Sequence, residues 1–340
     1  MAYGTINADV MQTSTSGGIL GAGNASIMKN RIINGNMLVS QRNGTSTVTP
    51  SSGNYTLDRW NAGLTQASKF SVAQSTTAPT GFINSLLVTS LSAYSITSTD
   101  IFVIRQPIEG LNTYDLAWGT ASAKTVTLSF QVYSSLTGTF GGSLENDNAD
   151  RSYPFTYTIS SANTWTSVSV TITGCTDGTW LTTNAVGILL NLGLGVGSSK
   201  SGTAGAWANA DYRSATGATS VVGTNGATFY ITGVQLEVGS NATGYEYENY
   251  TSLLSKCQRY YWKATSTGGD FLGCIYNTAL NRGVINFPYH VSMRVNPTIS
   301  YTLTSGTTNT DYISTDMTQL YITITGSTAT ASAFAASAEL

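Results

Sequence analysis

The chain has 340 residues, with 15 lysines and arginines, 17 aspartates and glutamates, one histidine and a net charge of -2. Charged residues are 9% of the chain, against about 25% in an ordinary soluble domain, so no basic footprint for nucleic acid is present. No run approaches the roughly 18 apolar residues of a membrane-spanning helix, and 41% hydrophobic content excludes charge-rich disorder.

Residues 1–30 are poor in core formers. They contain Thr13-Ser14-Thr15-Ser16-Gly17-Gly18 and Gly21-Ala22-Gly23-Asn24. Such a segment buries little by itself and reads as an extended attachment arm, ordered by a partner. Its start, Met1 to Thr5, lacks the basic and apolar regions of a secretory signal.

Residues 31–250 carry strand signals. Phe70 to Ala73, Thr125 to Tyr133, Tyr153 to Ile159, Trp165 to Ile172 and Phe229 to Val238 place apolar residues at every second position. A period of two gives one buried face and one wet face. The apolar, glycine-bearing run from Val186 to Val196 reads as a buried strand pair. Turn clusters such as Asn146-Asp147-Asn148-Ala149-Asp150 separate these runs. Short strands at this spacing predict an all-β chain with a jelly-roll β-sandwich.

Residues 251–340 predict a short helix, with Thr251 as its N-cap, followed by a smaller β domain. Its strands are expected at Phe271 to Tyr276, Val284 to Pro288, Thr298 to Leu303 and Leu320 to Ile324. The tail from Ala329 to Leu340 is small and apolar.

Most catalytic inventories fail. His290 is the single histidine, so no histidine cluster for zinc exists, and any triad would have to use it. It reads as an exposed strand-end histidine. Cys175, Cys257 and Cys274 are odd in number and widely spaced, and read as free thiols. Glycoside cleavage needs only two carboxylates. Glu109, Asp115, Glu145, Asp147 and Asp150 are the candidates, with Arg105 able to pair with Glu109. The turn from Asn146 to Asp150 reads as solvated rather than as a calcium site. The expectation is a non-enzymatic chain with no metal and no cofactor.

Binding chemistry is better represented, with 19 tyrosines and 6 tryptophans. Aromatic rings stack on the apolar faces of sugars, and uncharged amides and hydroxyls match sugar hydroxyls. Most strand aromatics, including Trp165, Tyr157 and Phe130, are expected in the core. Trp180, Trp207 and Tyr212 fall in or beside turn-rich stretches. Trp207 and Tyr212 lie in the Gly/Ser/Ala-rich loop 197–217, too long for a mere connection. These three residues are the candidate ligand-binding set.

An ordered series of motifs carries a resemblance. Lys29-Asn30-Arg31-Ile32-Ile33-Asn34-Gly35-Asn36-Met37 is followed by Gln41-Arg42-Asn43 and by Tyr55-Thr56-Leu57-Asp58-Arg59-Trp60. Later come Gly233-Val234-Gln235-Leu236-Glu237-Val238-Gly239, Glu246-Tyr247, Cys257-Gln258-Arg259-Tyr260-Tyr261, Phe287-Pro288, Met293-Arg294 and Asn296-Pro297-Thr298. The series resembles tail-fibre and related virion fibre proteins of tailed bacteriophages, with a carbohydrate-binding-module-like jelly roll between. The resemblance implies a virion protein made in the host cytoplasm, a homotrimer, docking to other virion proteins through residues 1–30, and attachment to a host surface glycan. A capsid-bound decoration or adaptor protein is the alternative, and a depolymerase tailspike a third. The motif residues suit fold-holding roles: Arg42 and Arg59 can tie strand ends, and Glu237 is expected to pair with one of them.

Overall fold

The computed structural model describes residues 10–12, 19–21, 28–265, 275–277, 282–303, 307–323 and 331–340. Within the arm, β1 (Val10–Gln12) and β2 (Ile19–Gly21) pair antiparallel. The rest of the arm up to residue 27 lies outside the described residues.

The strands that follow are β3 (Tyr55–Leu57), β4 (Trp60–Leu64), β5 (Phe70–Ser75), β6 (Ser85–Ser90), β7 (Ile101–Glu109), β8 (Val126–Ser134), β9 (Gly138–Glu145), β10 (Ser152–Ile159), β11 (Thr166–Ile172), β12 (Val186–Val196), the two-residue β13 (Ser201–Gly202) and β14 (Ser214–Ala215), and β15 (Thr228–Val238). One sheet has the order β10-β9-β12-β7-β4-β3, the other β11-β8-β15-β6-β5. The chain crosses repeatedly between these sheets, with β3–β4, β5–β6 and β9–β10 as hairpins within one sheet, as in a jelly roll. The expected all-β sandwich is therefore present.

The core follows from the alternation. In β8, Val126, Leu128, Phe130 and Val132 are buried, while Ser129, Gln131 and Tyr133 face out half-buried. Phe140, Phe155, Ile188, Leu190, Leu192, Phe229 and Ile231 meet them from both sheets. Val186 to Val196 forms one continuous strand, β12, and not the expected pair. Gly193 of β12 serves a close approach instead, together with Gly141 of the neighbouring β9. A Cβ on Gly141 would lie 2.5 Å from the Ser214 hydroxyl, and one on Gly193 2.8 Å from it. Loop 197–217 thus lies down on the outer face of the six-stranded sheet.

The helix α1 spans Tyr250–Gln258. Its N-cap is Asn249 rather than Thr251: the Asn249 side chain accepts from the Ser252 amide at 2.9 Å. The helix packs Leu253 and Cys257 on Val39.

Next come β16 (Tyr261–Thr265), β17 (Ile275–Asn277), β18 (Arg282–Pro288), β19 (Thr298–Leu303), β20 (Thr307–Ile313), β21 (Met317–Thr323) and β22 (Ala331–Ser337). They form a three-stranded sheet, β16-β22-β19, and a four-stranded sheet, β17-β18-β21-β20. Residues 271–274 of one expected strand lie outside the described residues. The Ala-rich tail buries Phe334, Ala336 and Ala338 in the chain's own C-terminal cluster. Phe334 stacks on Phe287 with 4.0 Å between centroids.

The motifs around Gln41, Arg59, Arg259 and Arg294 converge where the C-terminal sheets meet the sandwich. Arg59 stacks on Tyr260 at 3.6 Å and Arg42 on Tyr261 at 3.6 Å. Gln41 donates to the Tyr261 carbonyl at 2.8 Å. Glu109 accepts from Arg259 at 2.7 and 3.1 Å and from the Tyr260 hydroxyl. Arg294 donates to the carbonyls of Asn184 and Ala338 at 2.6 and 2.7 Å. Glu109 therefore does not pair with Arg105, which donates to Asn61 at 2.6 Å.

Candidate functional site: an uncharged aromatic groove

The outer face of the five-stranded sheet carries a groove of about 360 Å³. Its floor comes from strand register. Gln131 of β8 lies opposite Ser167 of β11, and Ser129 opposite Ser169. The Ser167 hydroxyl donates to Gln131 Oε1 at 3.0 Å. That bond commits the carbonyl end of the amide and leaves the Gln131 Nε2 protons for another acceptor.

Two residues further along these strands stands an aromatic platform. Tyr230 lies opposite Tyr133, with ring centroids 5.1 Å apart. Trp165, just before β11, sits 5.6 Å from Tyr133 and 6.4 Å from Tyr230. Trp165 is thus half-buried on the outer face and not in the core, unlike Phe130 and Tyr157. Burial raises the Tyr230 hydroxyl above the usual phenol range, so the ring stays neutral.

The groove's own aromatic wall is a separate set, Phe82, Tyr245 and Tyr247. Phe82 contacts Tyr245 at 5.1 Å and Tyr247 at 5.8 Å. Phe82 lies over a bulge in β15. Register shifts between Thr232 and Gln235, Gly233 has φ +63, and a Cβ there would stand 2.6 Å from the Phe82 ring. Tyr245 and Tyr247 ride on a strap returning from β15. Glu237 accepts from the Thr243 amide at 2.8 Å and its hydroxyl at 2.7 Å. Gln235 accepts from the Glu246 amide at 2.8 Å.

This corrects the expectation for Glu237. None of the ion pairs among the described residues includes it, and Arg42 and Arg59 both pair with Glu339. A buried carboxylate needs donors, not necessarily a cation, and the strap supplies them.

The groove lining contains no charged residue. The candidate catalytic carboxylates are engaged or lie elsewhere. Asp115 pairs with Arg31 at 2.7 Å, Glu145 contacts Arg213, and Asp150 accepts from Asn146 at 2.6 Å. Asp147 is exposed in the same turn, which Asn146 closes by accepting from the Asp150 and Arg151 amides at 3.1 and 3.0 Å. No metal-ligating cluster occurs among the described residues. His290 is exposed, edge-on to Trp262. Cys175 and Cys257 are free and buried, with burial pushing Cys175 up to about 11 and Cys257 upward. Cys274 lies outside the described residues. No helix among the described residues is long and apolar enough to cross a membrane.

Trp180 and Trp207 are brought together, 5.5 Å apart, and both meet Trp118 edge-on. Tyr212 is half-buried, with its ring against Gly202, and makes no ring contact with this trio among the described residues. None of the three lines the groove. The aromatic platform beside the groove nevertheless has a sequence signal. Tyr133 falls on the polar phase of its own alternation, as Trp165 does in phase with Ser167 and Ser169. An aromatic in the wet phase is the signal. Tyr245 and Tyr247 had none, because the strap that places them has no period.

No protein-family model matches the sequence, and no curated protein does. Solved structures share a partial likeness. A putative sugar binding protein from Bacteroides thetaiotaomicron is 13% identical over 62% of this chain and 100% of its own, with a TM-score of 0.36. The enzymatically active domain of bacteriophage CBA120 tailspike protein 4 is 12% identical over 62% of this chain, with a TM-score of 0.35; only 21% of that chain is matched. The CBM22-1 xylan-binding domain from Paenibacillus barcinonensis is 11% identical over 59% of this chain and 99% of its own, with a TM-score of 0.30. Likeness of this degree carries no functional argument.

Proposed function

We propose that the chain is a bacteriophage virion fibre protein of the tail-fibre type, which attaches the particle to a host by holding a neutral surface polysaccharide in the groove. It works by binding, without catalysis. Residues 1–30 dock to other virion proteins, residues 31–250 form the binding module, residues 251–340 close its base, and three copies act together.

One observation carries the binding reading: the aromatic wall of Phe82, Tyr245 and Tyr247 flanks a floor of Ser129, Gln131, Ser167 and Ser169 with no charge in the lining, and the Tyr133–Trp165–Tyr230 platform lies two residues further along the same face. Ring faces desolvate the apolar faces of a sugar, and the amide and hydroxyls exchange hydrogen bonds with its hydroxyls. From Ser129 to Tyr133 the strand advances about 13 Å, longer than one pyranose ring. The groove and the adjoining platform together therefore suit an oligosaccharide stretch. Single shallow sites of this kind are weak, and trivalency multiplies their effect.

The test is a glycan array probed with the full chain, followed by calorimetry on the best neutral oligosaccharide. Binding that falls at least about tenfold in Trp165→Ala or Tyr230→Ala supports the reading, since a base-sized ring contact contributes about 1–3 kcal/mol. A blank array, or binding indifferent to both variants, refutes it.

A further inference from the structure

We infer that the chain has a second, separate carbohydrate pocket at the Trp118–Trp180 edge of the sandwich, sized for a single neutral pyranose. It rests on a different wall from the groove and does not need the groove reading.

The pocket encloses about 180 Å³, below the roughly 300 Å³ at which drug-sized sites begin. One ring fits and a chain does not. Trp118 is 8% exposed and meets Trp180 edge-on at 4.8 Å. Both indole N–H groups are already used: Trp118 donates to the Lys124 carbonyl at 2.8 Å and Trp180 to the Asp177 carbonyl at 3.0 Å. The rings are therefore fixed in place and offer only carbon surface to a guest. Trp207 backs the pair at 5.3 and 5.5 Å, its N–H held by the Thr173 carbonyl at 2.8 Å.

The loops that form the pocket are locked together. Gly119 has φ +84, and a Cβ there would stand 2.8 Å from the Gly178 carbonyl oxygen and 3.2 Å from the Trp180 ring. Only glycine lets these two turns touch. The rest of the lining is Tyr114, 59% exposed, with Thr113, Thr120 and Thr182. Thr120 and Thr182 are exposed, and Thr120 donates inward to the Ala117 carbonyl at 2.6 Å, which leaves its oxygen able to accept. No charged residue lines the pocket. A rigid aromatic base with hydroxyls around it and no charge matches a neutral sugar, whose ring C–H face meets the indoles while its hydroxyls meet threonines and water. Fixed walls lose little entropy on binding.

The experiment uses the full chain labelled with 5-fluorotryptophan, whose six tryptophans give six fluorine signals, assigned by single Trp→Phe variants. The probes are the methyl pyranosides of glucose, galactose and mannose, titrated to about 100 mM, since a one-ring site binds in the millimolar range, about -4 kcal/mol. The expected result is saturable movement of the Trp118 and Trp180 signals with at least one probe, while buried Trp60 stays still. Thr182→Tyr, at an exposed rim position, should weaken that effect at least tenfold. Trp165→Ala, on the aromatic platform beside the groove, should leave it unchanged. No movement of the Trp118 and Trp180 signals with any probe overturns the proposal. So does movement that T182Y does not affect, or that W165A abolishes.

Discussion

Arg59 and Glu339 form an ion pair across 280 residues of chain, with side chains 1% and 7% exposed. Arg59 also donates to the Pro107 carbonyl at 2.6 Å and stacks on Tyr260. Glu339 holds its ionised partner well above the usual arginine range despite burial. The pair binds the sandwich to the C-terminal sheets from inside. Removing one partner leaves the other charge buried and unmatched, at a cost of about 3–5 kcal/mol. Arg59→Ala should therefore lower the urea midpoint strongly, and Arg59→Lys should recover only part, because an ammonium cannot hold Glu339 and Pro107 in one plane. A double variant with Glu339→Gln should cost less than the two single losses added together. Additive losses would show that the two residues do not act as a pair.

The sandwich was legible because a period of two survives in β8, β10, β11 and β15, where one face is core. β12 reads differently because its glycines answer to close neighbours outside the strand: Gly193 to Ser214 of loop 197–217, Gly187 to Thr113 and Gly195 to Ser220. The junction motifs announced arginines that tie something together, but their partner, Glu339, lies in a tail whose alanines read as featureless. Strap and groove depend on Glu237 and Gln235 meeting residues six to eleven positions later through side chains, a pattern with no periodicity. Of the candidate set Trp180 and Trp207 meet while Tyr212 makes no ring contact with them among the described residues, and a packing of that kind, with its internal hydrogen bonds, has no sequence signal.

Gly233 sets the far wall of the groove. Its φ of +63 is costly for other residues, and the new methyl would push against Phe82 at 2.6 Å. Gly233→Ala should cost about 1–2 kcal/mol in unfolding experiments. It should also weaken oligosaccharide binding, because Phe82 supports Tyr245 and Tyr247. Phe82→Ala should give the binding defect without the backbone cost. Unchanged binding in both variants would remove that wall from the site.

An uncharged groove makes a prediction about salt. Interactions between exposed charges weaken as the Debye length shrinks from about 10 Å at 0.1 M to 3 Å at 1 M. Stacking and neutral hydrogen bonds do not depend on it. Affinity for a neutral oligosaccharide should change less than about twofold between 0.1 and 1 M sodium chloride. It should also stay flat from pH 5 to 8, since the lining tyrosines Tyr245 and Tyr247 are joined by no carboxylate, histidine or lysine. A tenfold salt effect, measured by calorimetry, would place charged groups in the contact.

Glu145 should give the fold an acid preference. Its side chain is 1% exposed beneath loop 197–217, in contact with Arg213, with Asp211 beyond and Arg105 nearby. Burial outweighs the pull of Arg213 and pushes the carboxyl up to about 8, from an ordinary value of 4.5. Between those values the folded chain keeps a proton that the unfolded chain has released. Stability from this group is therefore complete below the ordinary value and is lost as pH rises toward 8. The slope is at most about 1.4 kcal/mol per pH unit. Urea unfolding at pH 5, 6.5 and 8 should show wild-type stability declining, and Glu145→Gln, which carries no titrating proton, should flatten that decline. If E145Q and wild type fall in parallel, Arg213 keeps Glu145 ionised throughout and the loop is fastened by a permanent ion pair.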